Sequence, residues 1–539
     1  MESVIVVDAN ARQKGRRVST LDVIGVGPRL VTSILKMHGF KASLYAYESI
    51  LSNKEILENF DAIAISFMVS DFKAVKKLID MWRKVNSGII ILGGPGTLSR
   101  SILSSLDFSL ALMGESEITL QKLFSMYKSL SEAYYDLSKS KTTIKGLAIK
   151  VDREIIYGGI GEWTPKKFLN VIPEINDLKN FPFFWASRIY VEVVRGCSNF
   201  RRPIQTFDGR YCIRCDLCYK GPLSARVSCP VNIPPGCGYC SVPAIHGPAR
   251  SRDLFTIVEE IERLTKVGAS RIVLSAPDFL DFGRDELVEG PLTDPCNPPP
   301  NVHKIEELLS RLSKIRAVAE ERATVMIENV KPCLVNDEVS DVLGRYLKDT
   351  PIYIGLESCS DDLLKKVGRP STCSEGISAI EKLKKSGLRP YVYLMHGLPI
   401  ERDEDVLKTV KAIEILRNVG VERIVLYRFS PLPYTAFEMA PKPGPAVNDP
   451  MRKLLYDKVK EFNREQNKKI VGRVVKAIVA LKHPKKPGFL IAYPMRHGPV
   501  IIVRGGETLV GHRVTVKIHR LLSNRIVFGE IVYVHEKHF

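Results

Sequence analysis

The sequence predicts an α/β fold in three parts: a doubly wound parallel sheet, a partial (β/α)6 barrel and a small C-terminal all-β barrel. Three observations carry this. Over the first 135 residues five apolar runs alternate with amphipathic helical stretches; from Ile189 to about residue 440 six more strand–helix units follow; and from Lys468 short β-branched runs are separated by Gly and Pro. At 539 residues the chain can hold two to four domains, each with a full core.

In the first block, residues 1–135, the strands are "SVIVVDA", "KASLYAY", "DAIAISFM", "GIIILGGPG" and "FSLALMGES", with helices in "GVGPRLVTSILKMHGF" and "DFKAVKKLIDMWRKV". Strands this apolar are covered on both faces, as in a flavodoxin-like sheet. Ligands of such sheets bind beyond the carboxyl ends of the strands, so Ser66, Gly93, Gly94, Gly114 and Glu115 are the candidate contacts. Residues 136–187, with several prolines and aromatics, are expected to be a linker. The second block, 188–440, has strands in "IYVEVV", "SRIVLSA", "ATVMIEN", "PIYIGLES", "RPYVYLMHGLP" and "ERIVLYRFSPL". In a parallel barrel the chemistry sits at the carboxyl ends of these strands. A connecting helix is expected over 441–466 and the all-β barrel over 467–539.

No run of about 18 apolar residues is present, so no membrane-spanning helix and no membrane partner are expected. The opening "MESVIVVDAN" reads into a strand and not as a signal peptide, which points to the cytoplasm. In a reducing compartment the eleven cysteines are expected as thiols, metal ligands or redox groups and not as disulfides. None precedes residue 197, and seven fall between Cys197 and Cys240; Cys296, Cys333, Cys359 and Cys373 are scattered. Net charge is +19, and from Lys468 onward fourteen Lys or Arg stand against three Glu and no Asp. More than half of the surplus thus lies in the last 72 residues, which points to a phosphate backbone as partner.

Cys197 ends the first barrel strand in "VEVVRGC", and Cys237 and Cys240 lie in "GCGYCSVPAIHGPARSR". With "GLES" and "HGLP" at two later strand ends, these stretches resemble radical S-adenosylmethionine (SAM) enzymes over 188–440, nearest in wording to the methylthiotransferases. The usual three-residue gap between the first two cysteines is replaced here by an insertion, 198–236. The resemblance implies that Cys197, Cys237 and Cys240 hold a [4Fe-4S] cluster with one iron left for SAM. One-electron cleavage of SAM then yields a 5′-deoxyadenosyl radical inside the barrel, the electron coming from a ferredoxin- or flavodoxin-type protein. It also implies Glu357 and Ser358 at the SAM ribose or carboxylate, and Gly397, Leu398 and Pro399 along the adenine.

The insertion carries its own set, Cys212, Cys215, Cys218 and Cys229, spaced C-x2-C-x2-C-x10-C. Four thiolates at that spacing suit a second iron–sulfur cluster or a structural zinc, and Cys212, Cys215 and Cys218 are an alternative seat for the SAM cluster. No catalytic side chain is singled out, although Cys359, Cys373 and Tyr427 lie near strand ends where a radical could be relayed or quenched.

The wording "ILGGPG" and "LALMGESE" makes the first block similar to cobalamin-binding domains that precede many radical SAM cores. The D-x-H-x-x-G motif is absent, and the block's only histidine, His38, is expected within a helix, so cobalamin would be held without a protein imidazole. The block also has no cysteine, whereas methylthiotransferases carry three there. The tail resembles the TRAM domain, a small RNA-binding barrel; Lys482, Lys485, Lys486, Arg496, Arg504 and Arg513 are its candidate phosphate contacts, with Phe489, Tyr493 and His497 as stacking candidates. The expectation is a radical SAM enzyme acting on RNA, above all tRNA, by cobalamin-dependent methylation of a base carbon. Its rivals are methylthio transfer, a radical enzyme with a non-RNA substrate, and a non-enzymatic zinc-bearing RNA-binding factor.

Overall fold

The run "SVIVVD" forms β1 (Ser3–Asp8), buried from Val4 to Asp8 because strands flank it on both sides. The computed structural model describes residues 2–9 and 22–537, and the chain divides into two units: residues 1–191 with 253–269, and residues 192–252 with 270–539.

In the first unit, β2 (Val23–Ile24) is followed by β3 (Lys41–Ala46), β4 (Ala62–Ser66), β5 (Ile89–Gly93) and β6 (Leu110–Leu112). Then come β7 (Leu147–Val151), β8 (Glu154–Tyr157) and β9 (Arg188–Glu192), the last pairing in parallel with β2. The seven-stranded sheet runs β3-β1-β4-β5-β6-β7-β8, and its first five strands are parallel in the expected flavodoxin-like order. Helices Gly27–Met37 and Phe72–Val85 bury one apolar face each, through Leu30, Ile34 and Leu35 and through Val75, Leu78, Ile79 and Trp82.

Two expectations are corrected here. Residues 136–187 are more than a linker, because β7 and β8 extend the sheet antiparallel from β6. His38 caps the first helix instead of lying inside it, exposed and against the ring of Phe124 at 5.1 Å. The helix Leu254–Lys266 belongs to this unit through a wholly buried ion pair, Arg29 Nη2 to Glu260 Oε1 at 3.1 Å.

The second unit starts with a short antiparallel pair, β10 (Val194–Arg195) and β11 (Arg250–Ser251). β12 (Arg271–Ser275) and β13 (Thr324–Ile327) are parallel. Beyond Glu328 the run resumes as β14 (Asn329–Val330), which leads the parallel set β14-β15-β16-β17, with β15 Pro351–Glu357, β16 Arg389–His396 and β17 Arg423–Arg428. Helix Pro450–Lys468 packs on β17: Asn463 Nδ2 donates to the carbonyl of Ile424 at 2.8 Å, and the Ile424 amide donates to Asn463 Oδ1 at 3.0 Å. The tail closes a five-stranded barrel, ordered β18-β19-β20-β22-β21, from β18 (Val474–Lys482), β19 (Phe489–Pro494), β20 (Val500–Arg504), β21 (His512–Ser523) and β22 (Ile526–Lys537). Its core is Ala477, Val479, Leu490, Ile501, Val503, Val514, Val516 and Val527, the inward half of each alternating strand.

The scattered cysteines are disulfide-bonded and not free, as Cys296–Cys333 and Cys359–Cys373 with Cα atoms 5.6 and 4.8 Å apart. The partners are 37 and 14 residues apart in the chain, and a count of cysteines does not show which of them meet. Among the described residues no helix is long and apolar enough to cross a membrane.

Candidate iron–sulfur centre and active site

The "RGC" turn depends on its glycine. Gly196 has φ +81°, and a Cβ there would lie 2.2 Å from the carbonyl of Pro248. The turn lets the Cys197 amide donate to Gly247 at 3.0 Å, which brings Cys197 back against the "PAIHG" segment. Cys237 and Cys240 lie on one tight turn, closed by Cys240 N to the Cys237 carbonyl at 2.9 Å. Asn199 joins them to Cys197: its amide donates to Cys197 Sγ at 3.4 Å, and its Nδ2 donates to Cys237 Sγ at 3.3 Å and to the Gly368 carbonyl at 3.0 Å. Burial pushes the Cys197 thiol up to about 11, and burial with the neighbouring Cys237 and Cys197 pushes Cys240 up to about 12. Three desolvated thiols beside one another are costly as thiolates unless a cation offsets them.

Arg369 supplies a second test of fit. Its Nη2 donates to the carbonyl of Gly355, its Nη1 lies 3.9 Å from Cys237 Sγ, and its Nε is buried with no partner. An orphaned guanidinium N–H aimed among thiols fits the sulfides of a cluster or the carboxylate of SAM. Among the described residues, no three His, Cys, Asp or Glu side chains close as tightly as a single ion requires. Ligands of a four-iron cube stand further apart.

The insertion repeats the pattern around Arg202. This buried guanidinium hydrogen-bonds Cys229 and feels the charges of Cys218 and Cys212, while its Nε has no partner. Burial lowers its pKa, and burial raises that of Cys218, against which Arg202 pulls. Arg214 and Asp216 have φ of +54° and +56°, so the chain reverses on both sides of Cys215 and the x2-spaced cysteines can share one side. A buried core of Ile233, Leu363, Val367, Leu398, Phe429 and Phe437 lies against the inserted cysteines Cys212 and Cys229 and against Tyr239, which stands between Cys237 and Cys240 in the chain.

A charged network that sequence reasoning missed adjoins Cys197. Lys331 Nζ lies 2.9 Å from Asp278 Oδ2, 2.8 Å from Asp281 Oδ2 and 2.7 Å from Ser198 Oγ, and Arg284 pairs with Asp281; all are buried. Burial disfavours the Lys331 charge, but Asp278 and Asp281 overcome it and hold the pKa up. "DFLDFGRDE" signalled acids and an arginine, but nothing in the sequence paired them with a lysine some fifty residues away.

Glu357 ends β15 at φ +64°, where the register with β16 slips between Gly355 and Glu357. Burial raises its pKa, while Arg369 and Tyr239 pull it down. A Cβ on Gly355 would come within 2.8 Å of the Glu357 carboxylate, so the glycine makes room for it. Ser358 is turned elsewhere: its hydroxyl pairs with Thr409 Oγ1 at 3.0 Å and accepts from the Ser360 amide. Gly397 has φ +76° and donates to Glu401 Oε2 at 2.7 Å, Leu398 is buried in the shared core, and Pro399 is half-buried. Burial pushes Glu401 up to about 7, although the Gly397 amide and Arg452 oppose it. A carboxyl raised on folding stabilises the protein below its unfolded pKa and loses that contribution as pH rises through about 7. The melting temperature should therefore fall between pH 5 and 8 by an amount that Glu401→Gln removes, up to about 3 kcal/mol of stability. Thermal melts of both proteins across that range check it.

In the first unit, Ser66 and Gly93 are partners in register at adjoining strand ends, and a Cβ on Gly93 would meet nothing within 4 Å. Gly94 has φ +88°, and a Cβ there would lie 2.7 Å from the carbonyl of Phe67. Gly114 has φ +92°, and the buried Glu115 accepts from the Thr164 amide at 2.7 Å. Ser66 and Gly93 thus leave an open edge, while Glu115 holds down the following segment.

On the small barrel the candidates divide. Lys482, Lys485, Lys486 and Arg504 are exposed, Lys482 beside Glu507 at 3.2 Å. Arg504 lies over the ring of its cross-strand partner Phe489 at 5.6 Å; Arg520 lies over Phe528 likewise at 5.5 Å, and the two rings are 6.4 Å apart. Arg520 and Phe528 were not singled out from sequence, because strand pairing puts them there. Arg496 and Arg513 turn to the larger barrel, to Asp349 at 3.5 Å and the Glu321 carbonyl at 3.2 Å. Tyr493 is buried under Arg271, so it is no stacking surface, and the His497 carbonyl accepts from Arg389.

The Radical SAM superfamily model matches residues 228–426. An uncharacterized protein of Methanopyrus kandleri is 36% identical over 99% of this chain and 97% of its own length. The ribosomal protein uS12 methylthiotransferase of Moorella thermoacetica is 27% identical over 55% of this chain and 64% of its own. A tRNA-2-methylthio-N(6)-dimethylallyladenosine synthase of Thermotoga petrophila is 25% identical over 56% and 63%. Among solved structures, the radical SAM methyltransferase TsrM of Kitasatospora setae, with cobalamin and a [4Fe-4S] cluster bound, shares the fold over 81% of this chain and 77% of its own, with TM-score 0.56 and 13% identity. The chain thus belongs to the radical SAM superfamily: it is an enzyme related in sequence to methylthiotransferases and in fold to a radical SAM methyltransferase.

Proposed function

We propose that this enzyme modifies RNA, specifically tRNA, by methylating an unactivated base carbon with cobalamin held at the strand ends of the first unit. The observation that carries the RNA reading is the face of the small barrel where Arg504 and Arg520 lie over Phe489 and Phe528. Cations on aromatic rings at an exposed barrel surface suit phosphates and stacked bases together. The methyl reading is supported by the open Ser66–Gly93 edge and by a fold shared with TsrM along most of the chain. A [4Fe-4S] cluster and SAM would supply a carbon radical, and this chain's residues would hold and seclude them. Cys197, Cys237 and Cys240 would ligate, Arg369 and Glu357 would orient SAM, and Leu398 with Phe437 excludes water. A ferredoxin- or flavodoxin-type protein would deliver the electron, in the cytoplasm.

Methylthio transfer is the second reading, favoured by the inserted cysteines, three of which (Cys212, Cys218 and Cys229) act on Arg202, and by the names of the two bacterial relatives. Nucleoside mass spectrometry of tRNA from a strain lacking the protein, against its parent, separates the readings. Loss of a methylated nucleoside supports the first, and loss of a methylthio nucleoside the second; if neither tRNA nor rRNA changes, the RNA reading fails. Binding gives a further prediction. Arg504→Ala with Arg520→Ala should weaken tRNA binding about tenfold or more and lower the slope of log affinity against log salt by about two. Filter binding across a salt series measures both.

A further inference from the structure

Four tyrosines share one face of β15, β16 and β17. Register sets Tyr353 beside Tyr391, Gly355 beside Tyr393, and Met395 beside Tyr427. On the opposite face Leu356 packs on the helix Cys373–Lys385, where a Cβ on Gly376 would strike it, so the tyrosines face the barrel interior with Glu357. The rings form a continuous row: Tyr353 meets Tyr391 edge-on at 5.4 Å and stacks on Tyr393 at 5.3 Å with 22° between planes, and Tyr393 meets Tyr427 at 5.3 Å. The row is closed at one end and open at the other, since Tyr391 is 5% exposed and Tyr427 is 48% exposed.

The open end lies beside the small barrel. Asn463 grips β17 at Ile424, and Asn467, one turn further along the same helix face, donates to the Asn524 carbonyl at 3.2 Å in the β21–β22 turn. The next residue, Arg525, is exposed, and its charge acts on the Tyr427 phenol together with those of Glu357 and Glu328. One helix thus bridges β17, which carries the exposed ring, and the turn of the small barrel that carries Arg525.

We propose that the tyrosine row, open at Tyr427, is the stacking site for the base to be modified, and that Arg525 takes the adjoining phosphate. The inference rests on the RNA reading above. A base drawn from its strand needs a planar surface to replace its lost neighbours, and Tyr427 with Tyr393 offers one that leads toward Glu357.

The test uses the full chain with its cluster rebuilt anaerobically, and total tRNA from a strain lacking the protein. Tyr427→Leu should raise KM for that tRNA roughly 5- to 150-fold, the range for one lost base–aromatic stack. Tyr427→Phe and Tyr427→Trp, which keep a ring, should stay within about threefold, and Arg525→Glu should raise KM while lowering its salt dependence. Iron content and the cluster's absorbance check that each variant has folded; if Tyr427→Leu fails that check, Arg525→Glu and Tyr427→Trp carry the test. An unchanged KM in Tyr427→Leu or Arg525→Glu overturns the stacking site while leaving RNA modification standing. So does loss of kcat in Tyr427→Phe at constant KM, which would give the phenol and not the ring the decisive role. If the unaltered enzyme modifies neither tRNA nor rRNA, the RNA reading fails and the stacking site with it.

Discussion

Replacement of Cys240 by alanine should take SAM cleavage below detection and remove about four irons per chain. Cys240 has no substitute: the turn closed by its amide on Cys237 places its thiol against Cys237 and Cys197, and burial holds that thiol protonated until a metal takes it. Cys218→Ala is the informative partner. If the insertion holds a second cluster, it also loses about four irons but keeps SAM cleavage; if it holds zinc, only zinc is lost. Abolition of SAM cleavage by Cys218→Ala, with Cys240→Ala still active, would move the SAM cluster to the inserted cysteines. Metal analysis and 5′-deoxyadenosine release after dithionite reduction read all these outcomes. We propose the first arrangement, because Arg369 lies with Cys237 and Glu357 and Asn199 joins Cys237 to Cys197, whereas Cys212, Cys218 and Cys229 of the inserted set act on Arg202.

The second large effect is expected at Lys331. Lys331→Met keeps the length of the side chain but leaves Asp278 and Asp281 buried, with Arg284 as their remaining cation. Breaking one side of a buried ion network costs about 3–5 kcal/mol, so a fall in melting temperature of several degrees is expected. The sign of its pH dependence is fixed. Burial already raises Asp278 with Lys331 present, while against burial Lys331 and Arg284 hold Asp281 low; without Lys331 both carboxyls move upward, so the variant is relatively more stable in acid and loses that stability as pH rises. The gap between variant and parent should narrow from pH 8 to pH 5, and Asp278→Asn added to Lys331→Met should recover part of the loss. A gap independent of pH would mean that the cost comes from packing and not from charge. Ser198 receives Lys331 and adjoins Cys197, so iron content should fall with stability.

The apolar periods of the sequence determined the fold class and nearly every strand. Val4–Val7 and Ile63–Ile65 are apolar because the parallel sheet is covered on both faces, and the tail alternates because only one face of each strand meets the barrel core. These are local consequences of burial, and local sequence carries them. The grouping of cysteines was legible for the same reason: Cys237 and Cys240 share one turn, and Cys212, Cys215 and Cys218 one short loop.

What only the tertiary structure decided are pairings between residues far apart in the chain. The fold joined Cys296 to Cys333 and Cys359 to Cys373 where thiols were expected, and extended the first sheet through β7 and β8 where a linker was expected. Close packing turned Ser358 to Thr409 and covered Tyr493, whose residue types alone suggested contact with ligands. Lys331 with its two aspartates and Arg202 with Cys212, Cys218 and Cys229 likewise join residues that local sequence does not pair, and the tyrosine row arises from strand register. A side chain's chemistry is written in the sequence, but its partner is chosen by which surfaces the folded chain brings out of water together.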